Sequence, residues 1–276
     1  MLSQRDSILR LLNDEDTETA ELVERQLIER GPEVLPDLRA LVATASGRVE
    51  RRLRETVGEI ERRIAHQELA VICSQIKEDS DIETVSWAIA AAMRPGEDSA
   101  ESRRLLDEWG RELTKRLVEA ENIDEQHEIL SDLLGGSLHF RGNEDDYYNL
   151  DNSLLPTVIE SRLGLPISIT LVYILVAKRA GLRVEGVGLP GHFIARLGNV
   201  FFDPFHGGRR LHLDECRNLM ESQGQDLLPH HLLPCTTQVF LARMLNNILH
   251  IAVQEDDTDS ARLVRGWLDA LEKGVA

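Results

Sequence analysis

Residues 188 to 208, GLPGHFIARLGNVFFDPFHGG, contain two alternating segments joined by the turn-forming pair Gly198-Asn199. A two-residue loop of this kind between alternating segments is typical of a β-hairpin. The turn predicts that Leu197 pairs with Val200, which places Ile194 opposite Asp203. The stretch therefore predicts a small antiparallel sheet.

The two faces of the predicted hairpin differ in chemistry because side chains alternate along a strand. One face is almost wholly apolar and is expected to be the core face, and it consists of Phe193, Ala195, Leu197, Val200 and Phe202. The other face carries His192 and Asp203 as diagonal neighbours on adjacent strands, with their backbones roughly 7–8 Å apart, a distance that a polar pair can bridge. An aspartate in this position can fix the imidazole tautomer and raise its basicity. A purely structural His–Asp hydrogen bond at a sheet edge is the alternative, and the spacing alone does not exclude it.

Composition limits the possible functions of the chain. Its 276 residues suffice for a core domain with an appended helical segment. The formal net charge of −17 argues against nucleic-acid and anionic-membrane partners, since neither would be attracted to an acidic surface. The N-terminal residues have no apolar signal core, and the apolar run 169–177 is too short to span a bilayer. We therefore expect a soluble, cytoplasmic protein.

The three cysteines, Cys73, Cys216 and Cys235, lie far apart and in no metal-ligand spacing. The sequence consequently predicts free thiols in a reducing compartment, with no disulfide framework, no metal site and no cofactor.

Helical periodicity and breaker residues divide the chain into four segments. Residues 1–66 resemble HEAT-type helix pairs, although an ordinary helical cap would give the same pattern. Residues 67–135 are predicted to be the helical part of the core domain, and 136–235 its mixed part. Residues 236–276 read as a final helical hairpin that resembles one tetratricopeptide unit. The predicted fold class is α+β.

Five motifs, in this order, resemble the transglutaminase-like superfamily with its papain-like core, specifically the bacterial SirB branch. They are FRGN at 140–143, YYNLDNSLL at 147–155, RLGLPISITLVYILVAKRAGL at 162–182, GVGLPGHF at 186–193 and DPFHGG at 203–208. The resemblance covers roughly residues 85–276. It implies a central helix over 166–181 packed against a small antiparallel sheet, and a Cys-His-Asp triad in which His192 and Asp203 fill the second and third places.

The first place of that triad departs from the family pattern. The superfamily has Gly-x-Cys at the start of the central helix, where this chain has Gly164-Leu165-Pro166. Proline suits the first helical turn but offers no nucleophile. Ser168 lies in the same turn, where free N–H groups favour an oxyanion, so a Ser-His-Asp arrangement is conceivable. A capping or packing role is the alternative, because two positions along a helix turn Ser168 about 200° away from the cysteine's place.

Four further residues are candidates for binding in or walling the cleft. His206 could face it, because Gly207-Gly208 allows close backbone approach, although these glycines equally suit a tight turn. Tyr148 could wall the cleft, as could its neighbour Tyr147. Asn152 is a candidate as well, and it equally resembles the N-cap of a helix.

Two functions are compatible with these features. The first is a transglutaminase-like protein without the usual catalytic cysteine, which binds a protein or peptide partner through the old cleft and its helical flanks. The second is an acyl-transfer hydrolase, peptidase- or amidase-like, with His192 as general base, Asp203 as its orienting group and Ser168 or water as the attacking group.

Overall fold

The computed structural model describes residues 4–14 and 16–275. The chain forms two compact units, one from Met1–Val71 with Ala91–Glu97, the other from Ile72–Ala90 with Asp98–Ala276. The sequence suggested a segment boundary between residues 66 and 67, but the helix Gly47–Gln75 passes through that point without a break. No glycine or proline lies between residues 59 and 75, so the helical pattern continues across that point.

The first unit is helical. Its helices are α1 (Gln4–Leu12), α2 (Thr17–Arg30), α3 (Leu35–Val42), most of α4 (Gly47–Gln75) and the end of α5 (Ile82–Met93). Asp16 caps α2 by accepting a hydrogen bond from the Glu18 N–H, and Gly31 ends the helix with a φ of 68°. Apolar side chains from α1 to α4 form one buried cluster, which includes Leu12, Leu27, Leu38, Leu53 and Ile60.

The second unit holds the remaining helices and all the strands of the described residues. It contains the end of α4 and the first part of α5. Its other helices are α6 (Ala100–Arg116), α7 (Ile123–Ser131), α8 (Leu155–Ser161), α9 (Pro166–Arg179), α10 (Leu213–Glu221), α11 (Thr237–Gln254) and α12 (Thr258–Val275). Helix α9 is buried on nearly all sides, as expected of a helix that is apolar around its whole circumference. It is the predicted central helix, two residues shorter than expected.

A four-stranded antiparallel sheet lies in this unit, with its strands in chain order. They are β3 (Val184–Leu189), β4 (His192–Leu197), β5 (Val200–Asp203) and β6 (Arg209–Leu211). Leu197 pairs with Val200, which confirms the predicted hairpin register. Two short strands, β1 (Arg141–Gly142) and β2 (Leu163–Gly164), form a separate parallel pair. Strand β6 was not predicted, because its three residues carry no clear alternation.

Both faces of the sheet are covered. On the predicted core face, the ring of Phe202 lies 5.9 Å from that of Tyr173 in α9, and the ring of Phe193 lies 5.0 Å from that of Phe240 in α11. The opposite face, which was not predicted to be a core face, buries a second apolar cluster in which Ile194 packs with Cys216 and Met220 of α10. The prediction of one core face was therefore incomplete, because α10 covers the other face of the hairpin as well. His192 and Asp203 lie at the end of the hairpin, where β4 begins and β5 ends.

The α+β class is confirmed by this architecture, with helices on either side of a small antiparallel sheet. In the described part of the chain, no helix combines the length and the apolarity needed to cross a bilayer.

Candidate functional site

His192 and Asp203 are brought together where β4 begins and β5 ends. The His192 Nε2 atom lies 2.9 Å from Asp203 Oδ2, and the Asp203 side chain is 3% exposed. The sheet register sets this contact: Leu197 pairs with Val200, so the strand ends that carry the two residues lie side by side. The predicted contact between the two side chains is present.

Asp203 also receives a second histidine. His206 Nδ1 lies 2.8 Å from the same Oδ2 atom, and the Phe205 N–H donates to Oδ1 at 3.0 Å. Burial by itself would raise the pKa of Asp203, but hydrogen bonds from His192 and His206 outweigh it, and the pKa lies below its ordinary value. The carboxylate is therefore ionised near neutral pH and accepts from both rings. Sequence patterns brought out the first histidine of this arrangement but not its link to the second.

His192 keeps one ring nitrogen without a partner. Its Nε2 faces Asp203, while no described residue forms a hydrogen bond with Nδ1. The start of β4 is fixed from outside, because the guanidinium of Arg243 in α11 donates to the backbone carbonyls of Leu189 and His192 at 3.0 and 2.9 Å. The backbone that carries the ring is therefore fixed, and the ring itself is oriented through Nε2.

An open cleft of about 510 Å³ lies beside this group. Its lining includes His206, Phe205, Arg141 and Glu144, and the Glu144 Oε1 atom is 3.6 Å from His206 Nε2. The side chain of His206 is 49% exposed, so it stands between buried Asp203 and solvent. Glu144 was not predicted from the sequence, because nothing in its local pattern points to His206, about sixty residues further along the chain.

The position of the turn that carries His206 depends on a glycine elsewhere in the chain. The ring of Phe205 lies directly on the backbone of Gly142 in β1, where a Cβ atom would come within 2.1 Å of the ring. At the other end of the turn, Gly207 has a φ of 71°, which favours glycine. Both the tight turn and the lining position expected for this stretch are therefore present.

The start of α9, where the family pattern has its cysteine, is closed by packing. Pro166 is the first residue of the helix and is buried. Ser168 is 1% exposed, and its hydroxyl donates to the carbonyls of Asn152 at 2.5 Å and Leu165 at 3.1 Å. The serine proton is therefore used to tie two backbone segments together, and its hydrogen bonds do not include His192. This geometry favours the capping and packing alternative for Ser168 over the nucleophilic one.

Asn152 does not cap a helix. Asn149 caps the 3-10 turn Leu150–Ser153, and Asn152 is a buried residue within that turn. The Asn152 side chain donates to the carbonyls of Asp146 and Tyr147 and accepts from the Asn143 side chain. The N-cap interpretation was wrong because the cap of this turn is Asn149, three residues earlier, and the cap position of α8 is Leu154. Asn152 holds the loop before α8 in place instead.

Tyr148 lies at the surface near α11. Its side chain is 51% exposed, and its ring centroid is 5.3 Å from that of Tyr147 and 5.4 Å from that of His250. Tyr148 is not among the described residues that line the cleft. Its neighbour Tyr147 contacts the lining residue Phe205, with ring centroids 6.3 Å apart. Tyr148 is thus available to a partner near the cleft rather than inside it.

The cysteines do not supply a nucleophile. All three are free, with Cys73 and Cys216 buried and Cys235 half-buried. Burial raises the pKa of each thiol, that of Cys73 to about 12. A raised pKa leaves little thiolate near neutral pH, so none of these positions has the character of a catalytic cysteine.

A central helix packed on an antiparallel sheet, with histidine and aspartate on adjacent strands, is the arrangement of a transglutaminase-like core. The family model described as the transglutaminase-like superfamily matches residues 100–246, just over half of the chain. The chain therefore belongs to the transglutaminase-like superfamily.

Curated relatives come from bacteria and animals. The chain is 38% identical over 134 residues to a UPF0162 protein of Xylella fastidiosa, which covers 45% of this chain and 48% of that protein. It is 31% identical over 182 residues to a UPF0162 protein of Pseudomonas aeruginosa, covering 63% of this chain and 66% of that one. It is also 30% identical over 165 residues to mouse F-box only protein 21, covering 55% of this chain and 26% of the mouse protein. The chain thus spans about half the length of the first relative. No solved structure matches it.

Proposed function

We propose that this chain is a non-enzymatic member of its superfamily that binds a protein or peptide partner at the cleft beside His206. The observation that carries the proposal is the closed start of α9. Pro166 is buried where the family has its nucleophile, and the hydroxyl of Ser168 is hydrogen bonded to two backbone carbonyls. Acyl transfer through a covalent intermediate needs a nucleophile within reach of its base, and the described residues around His192 offer none.

The cleft itself supports binding. Its volume of about 510 Å³ is within the range of ligand pockets and would admit a few side chains. Its lining combines the aromatic ring of Phe205 with polar groups and with charged groups of both signs, among them Arg141 and Glu144. Such a mixture suits a polypeptide, whose backbone amides and side chains need both donors and acceptors. The relationship to an F-box only protein agrees with an interaction role for the domain.

The absence of a reactive nucleophile is tested by intact-mass spectrometry after exposure to serine- and thiol-reactive acylating probes. Wild type is compared with Ser168→Ala and His192→Ala. We expect that any adduct persists in both variants, because it would arise from incidental thiol or surface chemistry. A single adduct that both substitutions abolish would contradict the proposal.

Binding is tested with peptides selected from a random display library against the intact chain. Calorimetry then compares wild type with Arg141→Glu, which reverses a charge in the cleft, and with Val118→Ala, whose parent side chain is 81% exposed and outside the cleft lining. We expect Arg141→Glu to weaken binding by about tenfold or more, equivalent to about 1.4 kcal/mol, and Val118→Ala to leave it unchanged. Equal affinities in all three proteins would place the peptide elsewhere.

A second candidate function is hydrolysis with water as the attacking group. The free Nδ1 atom of His192, with Nε2 held by buried Asp203, favours it, because this is the arrangement of a general base with an orienting carboxylate. Turnover of activated ester and amide substrates that disappears in His192→Ala but persists in Ser168→Ala would identify this activity. No loss of turnover in His192→Ala would exclude it.

Within the superfamily, we propose that the chain belongs to the SirB branch. The order and spacing of the five motifs from residue 140 to 208 support this assignment. We also propose HEAT-like helix pairs in residues 1–66 and a tetratricopeptide-like unit in the hairpin of α11 and α12.

A further inference from the structure

We propose that His192, Asp203 and His206 form a binding site for a divalent transition-metal ion of the zinc type. Each residue presents one ligand atom, and these atoms all lie within 4.8 Å of one another. Imidazole nitrogens and carboxylate oxygens are ordinary zinc ligands. The sequence analysis predicted no metal site because the cysteines lack ligand spacing; the fold assembles a different ligand set from two histidines and one aspartate.

The three ligand atoms, all within 4.8 Å of one another, can surround an ion after an adjustment of their separations. Nε2 of His192 and Nδ1 of His206 lie 2.9 and 2.8 Å from Asp203 Oδ2, as expected when a proton joins each pair. Ligand bonds of about 2.0–2.1 Å in a tetrahedral site would put these atoms roughly 3.3 Å apart. His206 can supply the movement, since it ends a short 3-10 turn and its side chain is 49% exposed.

Proton positions also fit. A metal ion takes the lone pair of His192 Nε2, so the ring proton must lie on Nδ1, which has no hydrogen-bond partner among the described residues and can carry it. On His206 the ion takes Nδ1, and the proton lies on Nε2, 3.6 Å from the Glu144 carboxylate. A metal-bound histidine commonly donates its second N–H to a carboxylate, which orients the ring. A small movement of the exposed Glu144 side chain would bring its carboxylate within hydrogen-bond distance for that role.

The charges around the site favour a cation. Asp203 is held in orientation by the Phe205 N–H, and no lysine or arginine in the described chain forms an ion pair with Asp203 or Glu144. By contrast, half-buried Glu83 on α5 is paired with Arg179. Because the side chain of His206 lies in the cleft lining, a fourth ligand position can be filled by water from the cleft. The proposal rests on these side chains alone and does not depend on peptide binding.

The test uses the full chain freed of metal by a chelator. Zn²⁺ is titrated in competition with a chromophoric chelator, and Co²⁺ is titrated while its visible absorption is followed. We expect one ion per chain and the intense bands of four-coordinate Co²⁺. His206→Ala should abolish the Co²⁺ bands and weaken Zn²⁺ binding at least tenfold, and Glu144→Gln should weaken it by about 10–100-fold, as second-shell changes do.

The matched control is the double variant His230→Ala, His231→Ala. These neighbouring histidines have ring centroids 4.1 Å apart and lie outside the site, so they are the natural place for incidental zinc binding. The control should bind like wild type. Loss of binding in the control, unchanged binding in His206→Ala, or weak bands of six-coordinate Co²⁺ would each overturn the proposal. Circular dichroism of the metal-free variants verifies folding, and half-exposed His206 is used in preference to Asp203, whose substitution can unfold the chain.

Discussion

The start of α9 and the paired ends of β4 and β5 are the two regions that would meet in a transglutaminase-like active site, and this chain treats them differently. At the helix, the hydroxyl of Ser168 is buried and its proton is taken by backbone carbonyls. At the strands, buried Asp203 is bound by two histidines, each of which keeps a second ring nitrogen directed elsewhere. At the helix, the serine hydroxyl is fully used in hydrogen bonds that hold the fold together. At the strands, each histidine has a ring nitrogen that is not bonded to Asp203. Retained capacity, rather than the presence of a motif residue, is the better guide to where a ligand can bind.

Removing Asp203 should have the largest effect on this comparison. Asp203→Ala leaves the Phe205 N–H and two histidines without their acceptor, and we expect a loss of about 2–4 kcal/mol in the free energy of unfolding. Urea denaturation measures it. Asp214→Ala is the control, since its parent side chain is 85% exposed, and it should cost less than about 1 kcal/mol. Equal losses would mean that Asp203 is no more structural than a surface aspartate.

Ser168→Ala should cost less, about 1 kcal/mol. Both carbonyls that the hydroxyl contacts keep a backbone donor, because the Leu165 N–H bonds to Asn152 and the Ile169 N–H to Leu165. Ser222→Ala is the matched control, since its hydroxyl also donates to a carbonyl, that of Leu219, but at an exposed site, and it should change stability by less than about 0.5 kcal/mol. A stability loss in Ser168→Ala without any change in probe labelling would establish the structural role of the hydroxyl.

Acid should act on the strand region selectively. The pKa of Asp203 is lower in the folded chain than in the unfolded chain, so its contribution to stability is complete above the unfolded pKa of about 3.9 and is lost as the pH falls through the folded pKa. One carboxyl changes stability by at most about 1.4 kcal/mol per pH unit. We therefore expect Asp203→Asn to have a shallower loss of stability below pH 4 than wild type, measured by urea denaturation across that range. Parallel curves would contradict the assignment.

The smallest effect on stability is expected at Tyr148. Its side chain is half-exposed, so Tyr148→Ala should change the free energy of unfolding by less than about 1 kcal/mol. If a partner extends from the cleft toward α11, the same variant will lower the affinity for a selected peptide. Calorimetry separates the two readouts, and an unchanged affinity would confine the partner to the cleft lining.

Local patterns predicted much of the strand region. The Gly198-Asn199 turn fixed the register, and alternation then placed His192 beside Asp203 without further information. The proline at the start of α9 was equally visible. These features depend on residues close together in the chain, for which spacing determines geometry.

Features that depend on distant segments were not predicted. Helix α10 buries Ile194 on the face that was not predicted to be the core, and Glu144 approaches His206 from a loop about sixty residues earlier in the sequence. Asn152 was misassigned because its hydrogen bonds go to a loop rather than to the helix after it. No periodicity in the sequence encodes these contacts, since they arise only when separate elements pack together.

The contact between Gly142 and Phe205 means that the positions of the polar side chains Asp203 and His206 depend on a residue that has no reactive atoms. Any larger side chain at 142 would displace the aromatic ring, and Phe205 is covalently joined to His206 and donates its N–H to Asp203. In a genetic screen, alleles at codon 142 would therefore share the phenotype of alleles at 203 and 206, although they change no charge and no hydrogen-bonding group. A reverse screen for suppressors would recover smaller residues at 205. Position 142 is thus required for the function of this domain, although the residue there has no chemically active group.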